Sequence, residues 1–331
     1  MAGALPVNID MIRAAALRLQ GHARRTPLLS SPFLDQIAGR RVLVKAECLQ
    51  HTGSFKFRGA WSAITSLPEG TRGVIAFSSG NHAQGVAYAA QLRGLPAVVI
   101  MPRDAPAIKI ANTRALGAEV VLYDRMTEDR DAMGAALAAE RGLTLIPPFD
   151  HAQVIAGQGT TGLEIAEAAR VAGVTKAQVL VCCGGGGLTS GIALALEAEA
   201  PQMLVRPVEP AGFDDVTQSL AQGQVVTHPQ RAGLCDAIVT PAPGRLTWPI
   251  LKRLCGPGLV VTDDQALQAM ALAFERLKLV LEPGGAVALA AALFLPDQIE
   301  GDAVIVTASG GNVDRKVFLR ALAPGGVDAD C

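Results

Sequence analysis

The sequence predicts an α/β protein built as two lobes, each a mostly parallel sheet covered by helices. Three observations point there. Short apolar runs of strand length alternate with longer runs of helical period along most of the chain. The strand runs are continuously apolar rather than alternating, the mark of parallel strands buried on both faces. The chain has 331 residues, half of them hydrophobic, enough for a large core and for two lobes rather than one. Aromatics make up only 4%, against 35 glycines and 20 prolines. Small aliphatic side chains must therefore fill that core.

The first 25 residues read as an amphipathic helix, with Asp10 near its start and arginines near its end. They lack a basic start followed by an apolar core, so a secretory signal is not expected. No stretch reaches about 18 apolar residues without a charge or breaker, so no transmembrane helix is expected either. A cytoplasmic protein is the expectation.

Residues 73–77 read as a strand, followed by the loop Ser-Ser-Gly-Asn and a helix over 82–92. That helix carries no charge and should be buried on most sides. A strand over 96–101 precedes a helix over 106–116, which Gly117 stops. A strand over 119–123, a helix over 127–141 ending at Gly142, and a strand over 143–146 complete a compact doubly wound unit. Residues 71–147 are thus expected to form a small domain. Residues 1–70 and 148–331 are expected to form a large one.

In the large domain a helix is predicted over 154–169 and a strand over 178–183 that runs into four glycines. A helix over 188–199 and a strand over 203–208 follow. Helices over 265–277 and 284–293 and a strand over 303–308 close the pattern. No internal repeat, low-complexity stretch or Gly/Ser linker interrupts it. A cleft between lobes is the natural place for a small ligand.

Composition excludes some partners. The net charge is −1, and no basic block is present to neutralise a phosphate backbone, so nucleic acid is not expected. The six cysteines contain no C-x-x-C pair and read as reduced thiols, some buried in strands.

Five segments carry residues suited to chemistry. Lys56 stands between Phe55 and Phe57 in Ser-Phe-Lys-Phe-Arg-Gly. Apolar neighbours disfavour its ammonium form and make the amine a usable nucleophile toward carbonyls. The bland alternative is a surface lysine whose stem packs while its head stays wet. Gly184, Gly185, Gly186 and Gly187, with Leu188, join a strand to a helix. Such a loop can turn backbone N–H groups and a helix N-terminus toward a phosphate. It matches neither G-x-G-x-x-G nor a Walker loop. Ser78, Ser79, Gly80, Asn81 and His82 also lie at a strand-to-helix loop and could hold a carboxylate or a cofactor oxygen, or simply cap the helix. Ser309, at a strand end in Thr-Ala-Ser-Gly-Gly-Asn, could hydrogen-bond a ring nitrogen, or belong to a glycine turn. Glu209, with Asp214 and Asp215 nearby, could share a hard cation with a backbone carbonyl, or be solvated loop acids.

Taken together, these motifs resemble the threonine/serine dehydratase and serine racemase family, pyridoxal-phosphate enzymes of the tryptophan-synthase β fold type, fold type II. The segments Thr-Gly-Ser-Phe-Lys-Phe-Arg-Gly-Ala, Phe-Ser-Ser-Gly-Asn-His-Ala-Gln-Gly-Val-Ala and Cys-Gly-Gly-Gly-Gly-Leu-Thr-Ser-Gly carry the resemblance. So do residues 154–165, Val-Glu-Pro at 208–210, residues 281–291 and Ser-Gly-Gly-Asn-Val-Asp at 309–314. It spans nearly the whole chain.

The resemblance implies that the large domain binds pyridoxal 5′-phosphate. Lys56 would carry it, with Phe55 against the ring, Asn81 at the ring hydroxyl and Ser309 at the pyridine nitrogen. Gly184 to Gly187 with Leu188 would hold the phosphate. Residues 78–82 would bind the substrate carboxylate. Ser79 stands where racemases of the family keep a second acid/base. Glu209, the carbonyl of Phe213, and Asp215 match a divalent cation site for Mg2+, Mn2+ or Ca2+. A homodimer is implied as well.

Two departures stand out. Cys235-Asp236-Ala237 replaces a frequent Ala-Asp-Gly, and Ala83 follows His82 where glycine is frequent. The chain ends soon after residue 314, so an isoleucine-sensing regulatory domain is not expected.

The expected activity is a lyase reaction: a β-hydroxy amino acid, L-threonine or L-serine, is converted to a 2-oxo acid and ammonia. The alternatives are a serine or aspartate-type racemase, or a dehydratase of 3-hydroxyaspartate or of hydroxyectoine breakdown products. Arg130 is a candidate for an extra carboxylate, against a bland role on a helix surface. A non-catalytic ligand-binding protein would not need Lys56, the glycine run and Ser309 together. A nicotinamide dehydrogenase would need a G-x-G-x-x-G opening that is absent.

Overall fold

The computed structural model describes residues 5–78, 80–105, 107–229 and 232–323. In chain order, α1 (Ile9–Leu19) precedes β1 (Leu28–Ser30), α2 (Pro32–Ala38) and β2 (Arg41–Lys45). Two short 3-10 turns lead into α3 (Lys56–Thr65). Then come β3 (Val74–Phe77), α4 (Asn81–Leu92), β4 (Ala97–Pro102), α5 (Ala107–Ala115), β5 (Glu119–Tyr123), α6 (Arg130–Arg141) and β6 (Thr144–Leu145). They are followed by α7 (Ala152–Val171), β7 (Ala177–Cys182), α8 (Gly187–Glu199), β8 (Met203–Pro210) and α9 (Asp215–Gln222). The chain continues through α10 (Thr247–Leu254), β9 (Leu259–Val261), α11 (Asp263–Leu277), α12 (Pro283–Phe294), β10 (Ala303–Thr307) and α13 (Arg315–Leu322).

The strands form two sheets. Six pair in the order β1-β2-β10-β7-β8-β9, and four in the order β5-β4-β3-β6. Every pairing is parallel except β1 with β2. The strands β4, β7 and β10 are buried at every position, because helices cover both faces. This is why their sequences show no alternation.

Glycine, rather than aromatic bulk, sets the helix packing. At the crossing of α7 and α8, a Cβ on Gly191 would lie 2.6 Å from the amide nitrogen of Gly159 and from the carbonyl oxygen of Ile155. The two backbones therefore touch. α12, Pro-Gly-Gly-Ala-Val-Ala-Leu-Ala-Ala-Ala-Leu-Phe, is buried from Pro283 through Leu293 and forms the centre of the largest core cluster. The charge-free helix over 82–92 behaves as its composition predicts: nine residues of α4 are buried.

All four strands of the second sheet fall within 74–145. α3, from outside that span, also packs on it and gives Phe57, Ala60, Trp61 and Ile64 to its core. α6 starts at Arg130 rather than near 127, because Asp129 ends the preceding turn and its carboxylate accepts from the amide of Ala132.

Candidate active site

Lys56 is the first residue of α3. The chain reaches it through two left-handed residues, Thr52 (φ 59°) and Gly53 (φ 73°). Ser54 then pairs with Gly310 in an isolated antiparallel bridge, and the amide of Phe55 donates to the carbonyl of Ser309 at 3.1 Å. The lysine motif is thus stitched to the end of β10. Lys56 Nζ donates to the carbonyl of Pro148 at 2.8 Å and lies 5.1 Å from the centre of the Phe55 ring. Burial lowers its pKa to about 8, partly opposed by the charge of Glu282.

Beside it, the glycine loop joins β7 to α8. A Cβ on Gly185 would sit 2.3 Å from the Phe149 ring, and one on Gly187 2.9 Å from Phe149 Cβ. One on Gly184 would meet the backbone of Ile238 at 3.1 Å, and Gly186 adopts φ 87°. Gly185, Gly186 and Gly187 admit no side chain without displacement or strain, and Gly184 is tight. Among the described residues, the N–H groups of residues 184–188 donate to no backbone or side-chain acceptor. They gather at the positive end of a 13-residue helix. Leu188 is buried there. Phe149 adjoins Pro148, so the loop and the lysine share one wall.

Gly80 caps α4, and Asn81 and His82 open it. Asn81 Nδ2 donates to Glu282 Oε1, and Asn81 Oδ1 accepts from Asn312 Nδ2 at 2.7 Å. The same Asn312 nitrogen donates to the carbonyl of Thr52 at 2.7 Å, tying α4 to the lysine motif. Gly80 N donates to Ser78 Oγ at 3.1 Å. His82 Nε2 donates to the carbonyl of Ile146 at 2.8 Å, which leaves Nδ1 as an acceptor. Burial, reinforced by Lys56, pushes His82 down to about 3, so the imidazole is neutral. Ser79 lies outside the described residues. Ser309 is buried just beyond β10, its amide donating to the carbonyl of Gly285 at 3.3 Å.

Glu209, Phe213 and Asp215 lie where β8 meets α9, and Val216 beside them packs on Cys183 at the foot of the glycine loop. Glu209 Oε1 accepts from the amide of Val216, and Oε2 from the amide and hydroxyl of Thr217. Its oxygens already cap α9. Asp215 differs: both carboxylate oxygens are buried with no hydrogen-bond partner, and burial raises it to about 7. Asp215 suits a cation. The acids do not form a ready-made set, for no cluster of three or more His, Cys, Asp or Glu able to hold a metal exists among the described residues.

Several site residues went unmarked in the sequence. Glu282 stands at the head of α12, and Glu-Pro-Gly-Gly reads as a helix start. Yet its side chain makes no cap bond, because it turns to Asn81. Burial raises it to about 7, against the lowering effect of Lys109. Lys109 Nζ lies 2.8 Å from Asp236 Oδ2 and 3.7 Å from Glu282 Oε2. Beneath α3, the buried guanidinium of Arg58 donates to Glu47 at 2.8 Å and to Glu164 at 2.7 Å. Glu164 also takes Lys45. Four paired charges compensate one another where no single one could be buried.

Comparison with known proteins agrees with this geometry. Residues 19–310 match the family model described as pyridoxal-phosphate dependent enzyme. An L-threo-3-hydroxyaspartate ammonia-lyase from Pseudomonas sp is 46% identical over 315 residues, covering 95% of this chain and 97% of the relative. The crystal structure of the T.th. threonine deaminase superposes with a TM-score of 0.88 at 44% identity, covering 93% of this chain and 99% of that one. Maize serine racemase superposes with a TM-score of 0.88 at 37% identity, covering 96% and 97%. The residues present suit the cofactor: a buried amine for an aldehyde, and free backbone donors at a helix head for a phosphate. The chain belongs to the pyridoxal-phosphate dependent enzymes and has their fold type II architecture.

Proposed function

We propose that the protein is an ammonia-lyase that removes water and ammonia from a small β-hydroxy amino acid and releases a 2-oxo acid. The observation that carries this reading is Lys56: a buried amine lowered to about 8 beside the head of α8. In this reading Lys56 holds pyridoxal phosphate, and the amides of residues 184–188 take its phosphate. Phe55 packs against the ring, Asn81 faces the ring hydroxyl and Ser309 the ring nitrogen. When bound, the cofactor supplies an electron sink at the substrate α-carbon.

The remaining work falls to the chain. Lys56 Nζ is the group that would take the α-proton, and burial that lowers it to about 8 suits a base working near neutral pH. Residues 78–82 present the head of α4 to the substrate carboxylate. His82 stays neutral and adds no competing charge. Ser309 would offer the ring nitrogen a hydroxyl rather than a carboxylate.

Among substrates we place L-threo-3-hydroxyaspartate ahead of L-threonine and L-serine. The similarity to the Pseudomonas enzyme supports this; Arg130 adds nothing to it, because the Phe77 ring 5.3 Å from its guanidinium carbon packs on α6, on the face of the sheet away from α3 and α4. We assign Asp215 to a divalent cation on the strength of its unpartnered oxygens; Glu209 would join it, with the Phe213 carbonyl, only by turning an oxygen from the cap of α9. A cytoplasmic homodimer completes the proposal, on the resemblance to the family.

The test is release of 2-oxo acid and ammonia from L- and D-threonine, serine and threo-3-hydroxyaspartate, with Lys56→Ala as control. Oxo acid from the L-hydroxyaspartate, lost in the control, is expected. Inversion of a substrate without oxo acid would replace elimination by racemisation.

A further inference from the structure

Lys109 belongs to neither the cofactor set nor the substrate set above, yet it is 3% exposed on a helix whose neighbouring Ile108 is 53% exposed. An ammonium is buried only where acids compensate it. Here both compensating acids come from the other sheet. α5 lies against the four-stranded sheet, whereas Asp236 and Glu282 belong to segments packed on the six-stranded one. Asp236 accepts at 2.8 Å, and Glu282 Oε2, 3.7 Å away, has no hydrogen bond of its own.

The stem of Lys109 has a second contact. A Cβ on Gly80 would lie 3.0 Å from Lys109 Cδ and 3.2 Å from Nζ. The lysine is thus the floor beneath Gly80. Glu282, through its other oxygen, accepts from the side-chain nitrogen of Asn81. Two consecutive residues of the loop therefore rest on one bridge between the lobes.

We propose that Lys109 is a positioning residue: its pairing with Asp236 and Glu282 across the lobes seats Gly80 and Asn81 for the substrate carboxylate. This rests on the reading of residues 78–82 as the carboxylate loop.

The experiment uses the holoenzyme with Lys109→Met, which keeps the stem and removes the charge, Lys109→Arg, and Asp236→Asn. L-Alanine, which has no β-hydroxyl to lose, is titrated against the cofactor absorbance, and hydrogen exchange is followed in α5. Lys109→Met should weaken L-alanine by about tenfold or more and speed exchange in α5, with the cofactor bound as tightly as before. Lys109→Arg should recover part of the loss. Asp236→Asn should give a smaller loss in the same direction, and the double variant Lys109→Met/Asp236→Asn no more than Lys109→Met. Wild-type L-alanine affinity and α5 exchange in Lys109→Met would overturn the proposal. So would an equal loss of cofactor, which would make Lys109 a piece of the fold. If Lys109→Met does not fold, Asp236→Asn decides by the same two readouts. Should the wild type eliminate nothing yet still respond to L-alanine, the proposed reaction fails while the bridge is still tested.

Discussion

Gly185→Ala tests the glycine loop at its tightest point. The new methyl would sit 2.3–2.5 Å from three atoms of the Phe149 ring, where ordinary contact begins near 3.4 Å. The ring must retreat by about 1 Å. It has little freedom to do so, because the Cβ and Cα of Phe149 already lie 2.9 and 3.1 Å from where a Cβ on Gly187 would stand. The strain passes to Pro148, whose carbonyl holds Lys56 Nζ. Overpacking of this kind costs about 1–3 kcal/mol. Expressed in cofactor binding, that is about 5- to 150-fold in the dissociation constant. Gly184→Ala, whose methyl would meet Ile238 at 3.1 Å, should cost less. The assay is titration of the cofactor-free variants with pyridoxal phosphate, beside a melting curve to establish folding. A folded Gly185→Ala with the wild-type dissociation constant, or weaker binding in Gly184→Ala than in Gly185→Ala, would refute the account of the loop.

Three further outcomes are expected. The rate of reconstitution of the cofactor-free protein should rise with pH around a midpoint near 8, since burial lowers Lys56 to that value and only its neutral amine attacks an aldehyde; a midpoint near 10.5, the ordinary lysine value, would remove the activated lysine. Arg58→Met should strand Glu47 and Glu164, costing about 3–5 kcal/mol. At about 0.7 kcal/mol/K for a chain of this length that is a fall in Tm of about 4–7 °C, and an unchanged Tm would show the network to be idle. Glu282 is raised from 4.5 to about 7, so the stability it contributes is complete below its unfolded value and is lost as pH rises through 7, by about 3 kcal/mol. Tm of the cofactor-free Glu282→Gln variant should therefore fall less between pH 5 and 8 than that of the wild type; parallel slopes would contradict the shift.

What the sequence displayed follows physical lines. Continuous apolar runs and the charge-free α4 announced buried parallel strands and a covered helix, because burial on all sides leaves no polar period. The glycine run announced close backbone approach, and every one of its four positions does meet a neighbour or a positive φ. α3 was hidden: its first turn, Lys-Phe-Arg-Gly, shows no helical stripe, since Phe57, Arg58 and Gly59 are all buried in different surroundings. β9 was hidden by its length of three residues. Glu282 and Lys109 could not be paired from the sequence, because they meet only when the two sheets close on one another. The unequal roles of Glu209 and Asp215 were likewise invisible, since the N-terminus of α9 takes one carboxylate and leaves the other bare.

The most direct test of the central claim is to treat the holoenzyme with borohydride, digest it, and locate the cofactor by mass spectrometry. The account predicts reduced cofactor on the peptide containing Lys56, and on no other lysine, with loss of the yellow colour. Cofactor fixed on a different lysine, or a Lys56→Ala variant that retains both the colour and the release of oxo acid, would contradict it.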